Sequence, residues 1–191
     1  MPVTAIDART ALLVVDLQTG VVNFAADRLT DDVPSMAQVL ARSRALIDAF
    51  RTHDLPVVLI NVAGTAPGRT QEPGSFSGPF PDGFTDFAPE LDQRSEDITV
   101  TKRTWGAFAS TDLDVRLRAL AITQVIVAGI ATGIGVESTA RQAFEQGYNV
   151  TVAIDAMTDT RAIAHRFSIE NVFPRLGEIG TAQEIIDLLG S

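Results

Sequence analysis

The chain has 191 residues, and its 15 Lys and Arg against 24 Asp and Glu give a formal net charge of −9 at pH 7 with neutral His. This length predicts a single domain over residues 1–191, and an acidic balance without any Lys/Arg-rich run argues against nucleic acid and anionic membrane surfaces as partners. The chain contains no cysteine, which excludes disulfides, thiolate metal sites and a catalytic thiol.

The N-terminal segment lacks the features of a targeting peptide. It has no basic stretch and reaches Asp16 after a short apolar run. Residues 119–136 carry no charge, which raises the question of a membrane span, but Thr, Gln and Gly residues interrupt the run. A strand followed by a turn explains this stretch better. The sequence therefore predicts a soluble, cytoplasmic protein.

The first part of the chain predicts two buried strands with a helix between them. Residues 11–17, ALLVVDL, form an apolar run that carries Asp16 near its end. Residues 35–50 place apolar side chains at helical spacing, and His53 follows in the last turn, where the helix dipole favours a cation. Residues 56–62, PVVLINV, predict the second strand.

A long loop rich in Gly and Pro follows, over residues 64–91. It contains four phenylalanines: Phe76, Phe80, Phe84 and Phe87. Loops of this length without secondary structure are uncommon inside compact domains and usually serve as lids, arms or binding loops. Two interpretations remain open: the phenylalanines line a pocket or a subunit interface, or the loop packs on its own domain.

The third predicted strand, residues 97–101, leads directly into Lys102. A helix follows, with Ser110 or Thr111 as its N-cap and leucines along its inner face. Lys102 is therefore expected at the carboxyl end of a strand, as Asp16 is.

A strand, a glycine-rich turn and a helix come next. Residues 125–128 form a short apolar run typical of a buried parallel strand. Residues 129–135 form the turn, and a helical pattern runs from Val136 to a stop at Gly147. This arrangement aims backbone N–H groups at one point, on the positive end of the helix dipole, which suits an anion or a nucleophile. The alternative is an ordinary turn in which glycine permits tight packing.

The chain continues with a fifth strand over residues 149–155, a helix around residues 162–169 and a last helix that opens with a capping box of Thr181 and Glu184. Strands that alternate with helices predict a mostly parallel sheet covered on both faces. The predicted fold is therefore a Rossmann-like, three-layer α/β/α domain.

Three polar features stand at the predicted strand ends: Asp16, Lys102 and the turn over residues 129–135. In open α/β sheets the functional site lies at the carboxyl ends of the strands, and these ends meet at one edge. We therefore expect the three features to converge, which favours a functional interpretation of the turn.

Four segments resemble the isochorismatase-like hydrolases, a family that includes nicotinamidases, other amidohydrolases and the isochorismatases. They are ALLVVDLQTGVVNF from residue 11, TKRTWGAF from residue 101, VIVAGIATGIGVESTARQA from residue 125 and VAIDAMTD from residue 152. One such segment alone is weak evidence, whereas four in the same order are strong. The resemblance implies an isochorismatase-like fold, hydrolysis of a small-molecule substrate and assembly into a homo-oligomer.

In the amidohydrolase branch of this family the catalytic residues are Asp, Lys and Cys. Asp16 and Lys102 match the first two, and the third falls at Gly135, where the family pattern A-T-D-x-C-V meets ATGIGV. Covalent thioester chemistry is excluded without the thiol. The isochorismatase branch also has glycine at this position, and its vinyl-ether hydrolysis needs an acid and a water rather than a nucleophilic side chain.

These residues allow a division of roles. Burial disfavours the charged form of Asp16 whereas Lys102 favours it, so the pair can hold or pass a proton. Lys102 also attracts an anionic substrate or steadies developing negative charge. The alternative for the pair is a structural ion pair. The N–H groups near Ala131 and Gly135 are expected to orient a water or a substrate oxygen, and the resemblance implies a cis peptide bond between Ile130 and Ala131.

The walls of the substrate pocket are assigned to a further set of residues: Gln18, Phe24, Trp105, Ile130, Ala131 and Ile134. Three arginines are candidates to bind a substrate carboxylate: Arg69, Arg94 and Arg103. The sequence does not choose among them.

The sequence predicts neither a metal nor another cofactor. Nicotinamidases carry an Asp-x-His and a second His for a metal after the second strand, whereas residues 61–71 contain no His, Asp or Glu. The two histidines, His53 and His165, stand apart, and His165 is interpreted as structural.

The sequence therefore predicts an isochorismatase-like hydrolase with a cysteine-independent Asp/Lys acid–base mechanism, and vinyl-ether hydrolysis is the specific reaction it favours. Two alternatives remain open. One is a catalytically silent ligand-binding or assembly module of the same fold, and the other is an amidohydrolase in which water replaces the thiol. A homo-oligomer is expected in each case, because the phenylalanine-rich loop offers apolar surface.

Overall fold

A parallel β-sheet forms the centre of the computed structural model, which describes residues 2–72 and 80–190. Its strands in these ranges are β1 (Thr10–Val15), β2 (Val57–Val62), β3 (Ile98–Lys102), β4 (Gln124–Ile130), β5 (Asn149–Thr158) and β6 (Glu178–Gly180). They lie in the order β3-β2-β1-β4-β5-β6, and each neighbouring pair is parallel. The order reverses between β1 and β4, so a crevice at the carboxyl ends of these two strands is the expected place for a site.

Helices cover both faces of this sheet. They are α1 (Thr19–Ala26), α2 (Met36–Thr52), α3 (Leu113–Ala119), α4 (Glu137–Glu145), α5 (Ala162–Phe167) and α6 (Ala182–Leu189). One buried cluster joins Leu13 and Val15 of β1 to α3 and α4, and a second joins Leu12 and Val14 to α2 and α6. This alternation along β1 confirms the predicted three-layer α/β/α fold. No helix in the described ranges is long and apolar enough to cross a membrane.

Some predicted elements need correction. The sequence predicts five strands, whereas β6 adds a sixth, three residues long and too short to show a period. Helix α1 is also absent from the prediction, because its N-cap residue Gln18 makes no side-chain cap that would mark a helix start. The helix predicted around residues 162–169 ends earlier, as α5, and continues into a π-type turn, Ser168–Val172.

The predicted helix caps are correct at α6 and off by one or two residues at α3. Thr181 and Glu184 form the reciprocal hydrogen bonds of a capping box at the start of α6. The N-cap of α3 is Asp112 rather than Ser110 or Thr111, and the Asp112 side chain makes no cap bond. The Thr111 hydroxyl instead accepts from an N–H group in the first turn, over 3.2 Å. The capping oxygen therefore comes from the residue before the cap.

The phenylalanine-rich loop packs partly on its own domain. Phe84 and Phe87 lie against the buried cluster beneath α2, and the rings of Phe80 and Phe84 stack with their centroids 4.5 Å apart. The Phe84 ring also covers Gly20 of α1, where a Cβ would overlap it. The own-domain interpretation therefore holds for Phe84 and Phe87, and Phe76 lies outside the described residues.

The end of α3 offers a test of backbone strain at Ala121, whose φ is +55°. Its N–H donates to the Arg118 carbonyl and the Ile122 N–H to the Leu117 carbonyl, over 2.9 and 3.0 Å, the paired bonds of a Schellman motif. We expect Ala121→Gly to raise the free energy of unfolding by about 0.5–1 kcal/mol, because glycine adopts this left-handed backbone without the Cβ penalty. Urea denaturation measures the change. Ala119→Gly, at the last residue of α3 and with helical backbone, is the control and should destabilise by up to about 1 kcal/mol; a loss in both variants would contradict the prediction.

Candidate active site

Asp16 and Lys102 meet at the carboxyl edge of the sheet although 86 residues separate them in the chain. Asp16 directly follows β1 with a left-handed φ of +56°, and its N–H donates to the Ile60 carbonyl over 2.8 Å. Lys102 ends β3, where it pairs with Val62 of β2. Since β2 lies between β1 and β3, the long lysine side chain spans one strand to reach the carboxylate.

The two side chains form a buried ion pair. Lys102 Nζ donates to Asp16 Oδ2 over 2.7 Å and to the Thr104 carbonyl over 3.2 Å. Asp16 is 6% exposed and Lys102 is 1% exposed. The other carboxyl oxygen, Asp16 Oδ1, is buried and has no hydrogen-bond partner among the residues that the structure describes. The ammonium group thus fixes one oxygen of the carboxyl and leaves the other for a proton or a ligand.

This environment changes the acidity of Asp16. Burial raises the pKa of Asp16 from 3.8 to about 6, because loss of water disfavours the carboxylate more than the charge and hydrogen bond of Lys102 favour it. At pH 7 a group with such a pKa is protonated in roughly a tenth of the molecules. The carboxyl is therefore suited to give or take a proton near neutral pH.

Gly135 lies against the Asp16 carboxylate. A Cβ at this position would be 2.9 Å from Asp16 Oδ2, 3.0 Å from the Ile130 carbonyl oxygen and 3.2 Å from Val15 Cγ1. A cysteine here would have to displace the carboxylate or the strand ends. Glycine therefore does more than leave the nucleophile position empty, because it lets Asp16 approach the turn.

The turn that carries this glycine is a single π-type turn, Thr132–Val136, which runs into α4. The N–H groups of Ile134 and Val136 both donate to the Ala131 carbonyl, over 3.0 and 3.2 Å. These two groups are engaged within the turn and are not offered to a ligand. The Ile130–Ala131 peptide bond is cis, at the place that the family resemblance implies.

Gly135→Ala is expected to lower kcat/KM for the substrate of this site by about 100-fold, because the added Cβ displaces the Asp16 carboxylate. The same crowding should lower the free energy of unfolding by about 1–3 kcal/mol. Gly68→Ala is the control, since a Cβ there would meet nothing within 4 Å. Kinetics and urea denaturation measure both effects, and a Gly135→Ala protein as active as the wild type would show that the contact has no catalytic importance.

Gln18 holds the main chain at the edge of the site. It is fully buried, and its Nε2 donates to the carbonyls of Val62 and Phe84 over 3.0 and 3.2 Å. Its Oε1 accepts from the Val62 N–H over 2.6 Å. The amide therefore ties the end of β2 to the phenylalanine-rich loop and positions the wall of the site through the backbone.

The other residues assigned to the pocket walls lie at different depths. Ile130 is buried and Ala131 half-buried, at the end of β4. Phe24 is half-buried on α1, with an arginine guanidinium 4.0 Å over its ring. Trp105 and Ile134 are exposed. These last two side chains are accessible to a ligand or to another chain.

Of the three arginines considered for binding a substrate carboxylate, one is adjacent in the chain to the Asp16–Lys102 pair. Arg103 directly follows Lys102, and its guanidinium donates to a main-chain carbonyl over 3.1 Å. Arg94 bonds to Asp92 before the start of β3, at the opposite end of that strand from the site. Arg69 is exposed in the loop after β2. Within residues 2–72 and 80–190, no group of three or more His, Asp or Glu side chains is placed to hold a metal ion.

A second polar cluster behind the turn is absent from the sequence prediction. Asp159 Oδ2 accepts from the Gly133 N–H over 2.9 Å, and Thr132 Oγ1 lies 2.8 Å from His165 Nδ1. Burial lowers the pKa of His165, against a smaller opposing effect of the Asp159 charge. The signal that indicates this cluster is a carboxylate directly after a strand, since Asp159 ends the segment VAIDAMTD.

Comparisons with known proteins agree with the geometry. A family model described as the isochorismatase domain matches residues 10–184. The isochorismatase family protein YwoC of Bacillus subtilis (strain 168) is 38% identical over 185 residues, which cover 94% of this chain and 93% of that protein. Streptothricin hydrolase of Streptomyces noursei is 34% identical over 146 residues, which cover 76% of this chain and 48% of that protein.

The solved structures agree as well. An isochorismatase family protein from Burkholderia thailandensis superposes with a TM-score of 0.89 at 38% identity, over 98% of each chain. The family match, the relatives and the shared fold together show that this chain belongs to the isochorismatase family, whose named relatives include hydrolases.

Proposed function

We propose that the protein is a hydrolase that cleaves the vinyl ether of a small molecule, with Asp16 and Lys102 as its catalytic residues and no cysteine. One observation carries this proposal: a buried carboxyl with a pKa of about 6 lies beside a buried ammonium group, at a turn with glycine in the nucleophile position. Vinyl-ether hydrolysis needs a proton donor and a water, and this site supplies the donor.

The proton comes from Asp16 Oδ1. Because Oδ2 accepts the Lys102 hydrogen bond, the protonated carboxyl carries its hydrogen on Oδ1. The alkene carbon of the substrate takes this proton, the C=C electrons form the new C–H bond, and an oxocarbenium ion results. Water adds to that ion and returns a proton to Asp16. The hemiketal then collapses to a carbonyl compound and an alcohol, which leaves Asp16 protonated for the next turnover.

Lys102 and the turn support this step. The ammonium group stabilises the Asp16 carboxylate that forms when the proton leaves, and its remaining N–H is directed to an anionic group of the substrate. The Gly135 N–H orients the attacking water. The pocket walls in this proposal come from the residues named in the sequence analysis: Phe24, Trp105, Ile130, Ala131 and Ile134, with Gln18 acting through the main chain.

Water-based amide hydrolysis is the second candidate. It is favoured by the relation to ureidoacrylate amidohydrolase RutB of Methylobacterium radiotolerans, which is 27% identical over 213 residues that cover 99% of this chain and 83% of that protein. In that reaction ionised Asp16 accepts a proton from the attacking water, and Lys102 stabilises the oxyanion. The two reactions need opposite protonation states of Asp16. They therefore predict opposite pH dependence.

The experiment is turnover of two substrate panels, enol-ether acids such as isochorismate and small amides, by wild type and Asp16→Asn. We expect wild type to cleave an enol ether and the variant to be inactive on it. Cleavage of amides alone would select the second candidate. Inactivity on both panels would contradict both and indicate a ligand-binding or assembly module.

We also propose a homo-oligomer. Ile163 and Phe167 are largely exposed and lie four residues apart on α5, so they share one face of the helix. Adjacent exposed apolar side chains of this size commonly mark an interface. Light scattering after size exclusion measures the assembly, and a monomer at high concentration would contradict this part of the proposal.

A further inference from the structure

Asp159 accepts a hydrogen bond from the turn that carries Gly135. It has no part in the proposed chemistry. Asp159 directly follows β5 and is 2% exposed. Its Oδ2 accepts from the Gly133 N–H and its Oδ1 from the Arg161 N–H, each over 2.9 Å. Hydrogen bonds to an ionised acceptor are among the stronger ones in proteins, and burial strengthens them further.

The two bonds of Asp159 differ in what they connect. The bond to Arg161 spans two residues and forms a local Asx-turn. The bond to Gly133 spans 26 residues and joins the end of β5 to the turn after β4. The carboxylate therefore fixes the position of the turn relative to the neighbouring strand.

Thr132, His165 and Asp159 lie close enough to raise the question of a nucleophile with its base, and the geometry argues against it. Thr132 is fully buried, so a substrate cannot reach its hydroxyl. Both oxygens of Asp159 bind main-chain N–H groups rather than the imidazole. The bond between Thr132 and His165 is instead a second attachment of the same turn.

Gly133 and Gly135 belong to one π-type turn, so a displacement of one moves the other. Gly135 packs so closely on Asp16 Oδ2 that a Cβ would come within 2.9 Å of it, which excludes water from that side of the carboxyl. We propose that Asp159 is a positioning residue. Through its hydrogen bond with the Gly133 N–H it holds Gly135 against Asp16, and Gly135 in turn keeps water away from the Asp16 carboxyl. The proposal rests on the proposed function only where it assigns a catalytic role to Asp16.

The test replaces Asp159 in two ways. Asp159→Asn keeps the size of the side chain but offers one acceptor oxygen to two N–H groups. Asp159→Ser retains the local turn with Arg161 but is too short to reach Gly133. Asp97→Asn is the matched control, because Asp97 is a buried carboxylate bonded to an arginine before the start of β3, at the end of the sheet remote from the site.

NMR titration of ¹³C-labelled aspartate carboxyls follows Asp16 itself, and the signal missing from Asp16→Asn identifies it. We expect a midpoint at about pH 6 in wild type and in Asp97→Asn. In both Asp159 variants the midpoint of Asp16 should lie lower by about one pH unit or more, because water returns to the Asp16 carboxyl. For an enol-ether substrate we expect kcat to fall about tenfold while KM changes by less than about twofold.

An unchanged Asp16 midpoint in the Asp159 variants would overturn the proposal, and so would an equal shift in Asp97→Asn. If the midpoint moves as expected and wild type cleaves no enol ether, the positioning role stands and only the proposed reaction fails. Should Asp159→Asn not fold, Asp159→Ser decides, since it preserves the local turn.

Discussion

Asp16→Asn is expected to lower kcat for an enol-ether acid by about 1,000-fold while the fold stays intact. An amide has no acidic proton for the alkene carbon, and a general acid typically contributes about 10²–10⁴-fold. Asparagine suits this position because φ is +56°, a region that Asp and Asn adopt more readily than most residues. Its amide oxygen can also accept the Lys102 hydrogen bond. Steady-state kinetics measures the loss, and circular dichroism checks the fold.

The control for this variant is Asp97→Asn. Asp97 is also a buried carboxylate in an ion pair, 2.6 Å from Arg51, and it lies before β3, away from the carboxyl edge of the sheet. This control should lose stability and keep kcat. Wild-type turnover by Asp16→Asn would refute the assigned acid, and equal losses in both variants would trace the effect to stability rather than chemistry.

Lys102→Met is expected to lower kcat by about 100-fold or more, the scale on which removal of a charge-stabilising group acts. The charge and hydrogen bond of Lys102 lower the pKa of Asp16, so their loss raises that pKa above about 6. A larger fraction of Asp16 is then protonated at pH 7, but the carboxylate left after proton transfer has no cation to stabilise it. The cost in stability should stay at or below about 3 kcal/mol, because the carboxyl neutralises by keeping its proton.

Two measurements separate this effect from a general loss of structure. The residual activity of Lys102→Met should persist to higher pH than that of wild type, because its acid is weaker. Arg51→Met breaks the other buried ion pair and should lower stability with kcat unchanged. A Lys102→Met protein with the wild-type pH profile would show that Lys102 does not set the acidity of Asp16.

The layers of the fold and the convergence of Asp16 with Lys102 follow from sequence patterns. The apolar runs of β1, β2 and β4 are long enough to identify buried parallel strands, and parallel strands bring their carboxyl ends together. The same reasoning places the turn near this pair. Its closeness to Asp16 does not follow, because the contact at Gly135 depends on how two strand ends approach each other.

Other features lie beyond sequence patterns for physical reasons. Helix α1 has no side-chain cap, and β6 has too few residues to show a period. Gln18 looks like a pocket residue in the sequence, yet its amide binds main chain contributed by β2 and the loop. The tie from Asp159 to Gly133 spans 26 residues and depends on the packing of β5 beside β4. Contacts of this kind are set by tertiary structure rather than by local propensity.

The pH dependence of kcat/KM for isochorismate, measured on wild type and Asp16→Asn, tests the central claim most directly, because this ratio reports the ionisation of the free enzyme. With Asp16 as the acid and its pKa at about 6, the wild-type ratio should be level below pH 6. Above pH 6 the wild-type kcat/KM should fall about tenfold per pH unit. The kcat/KM of Asp16→Asn should show no such fall. A wild-type ratio that instead rises through pH 6 to a plateau would contradict the proposal, because it would mean that the ionised carboxylate acts as a base.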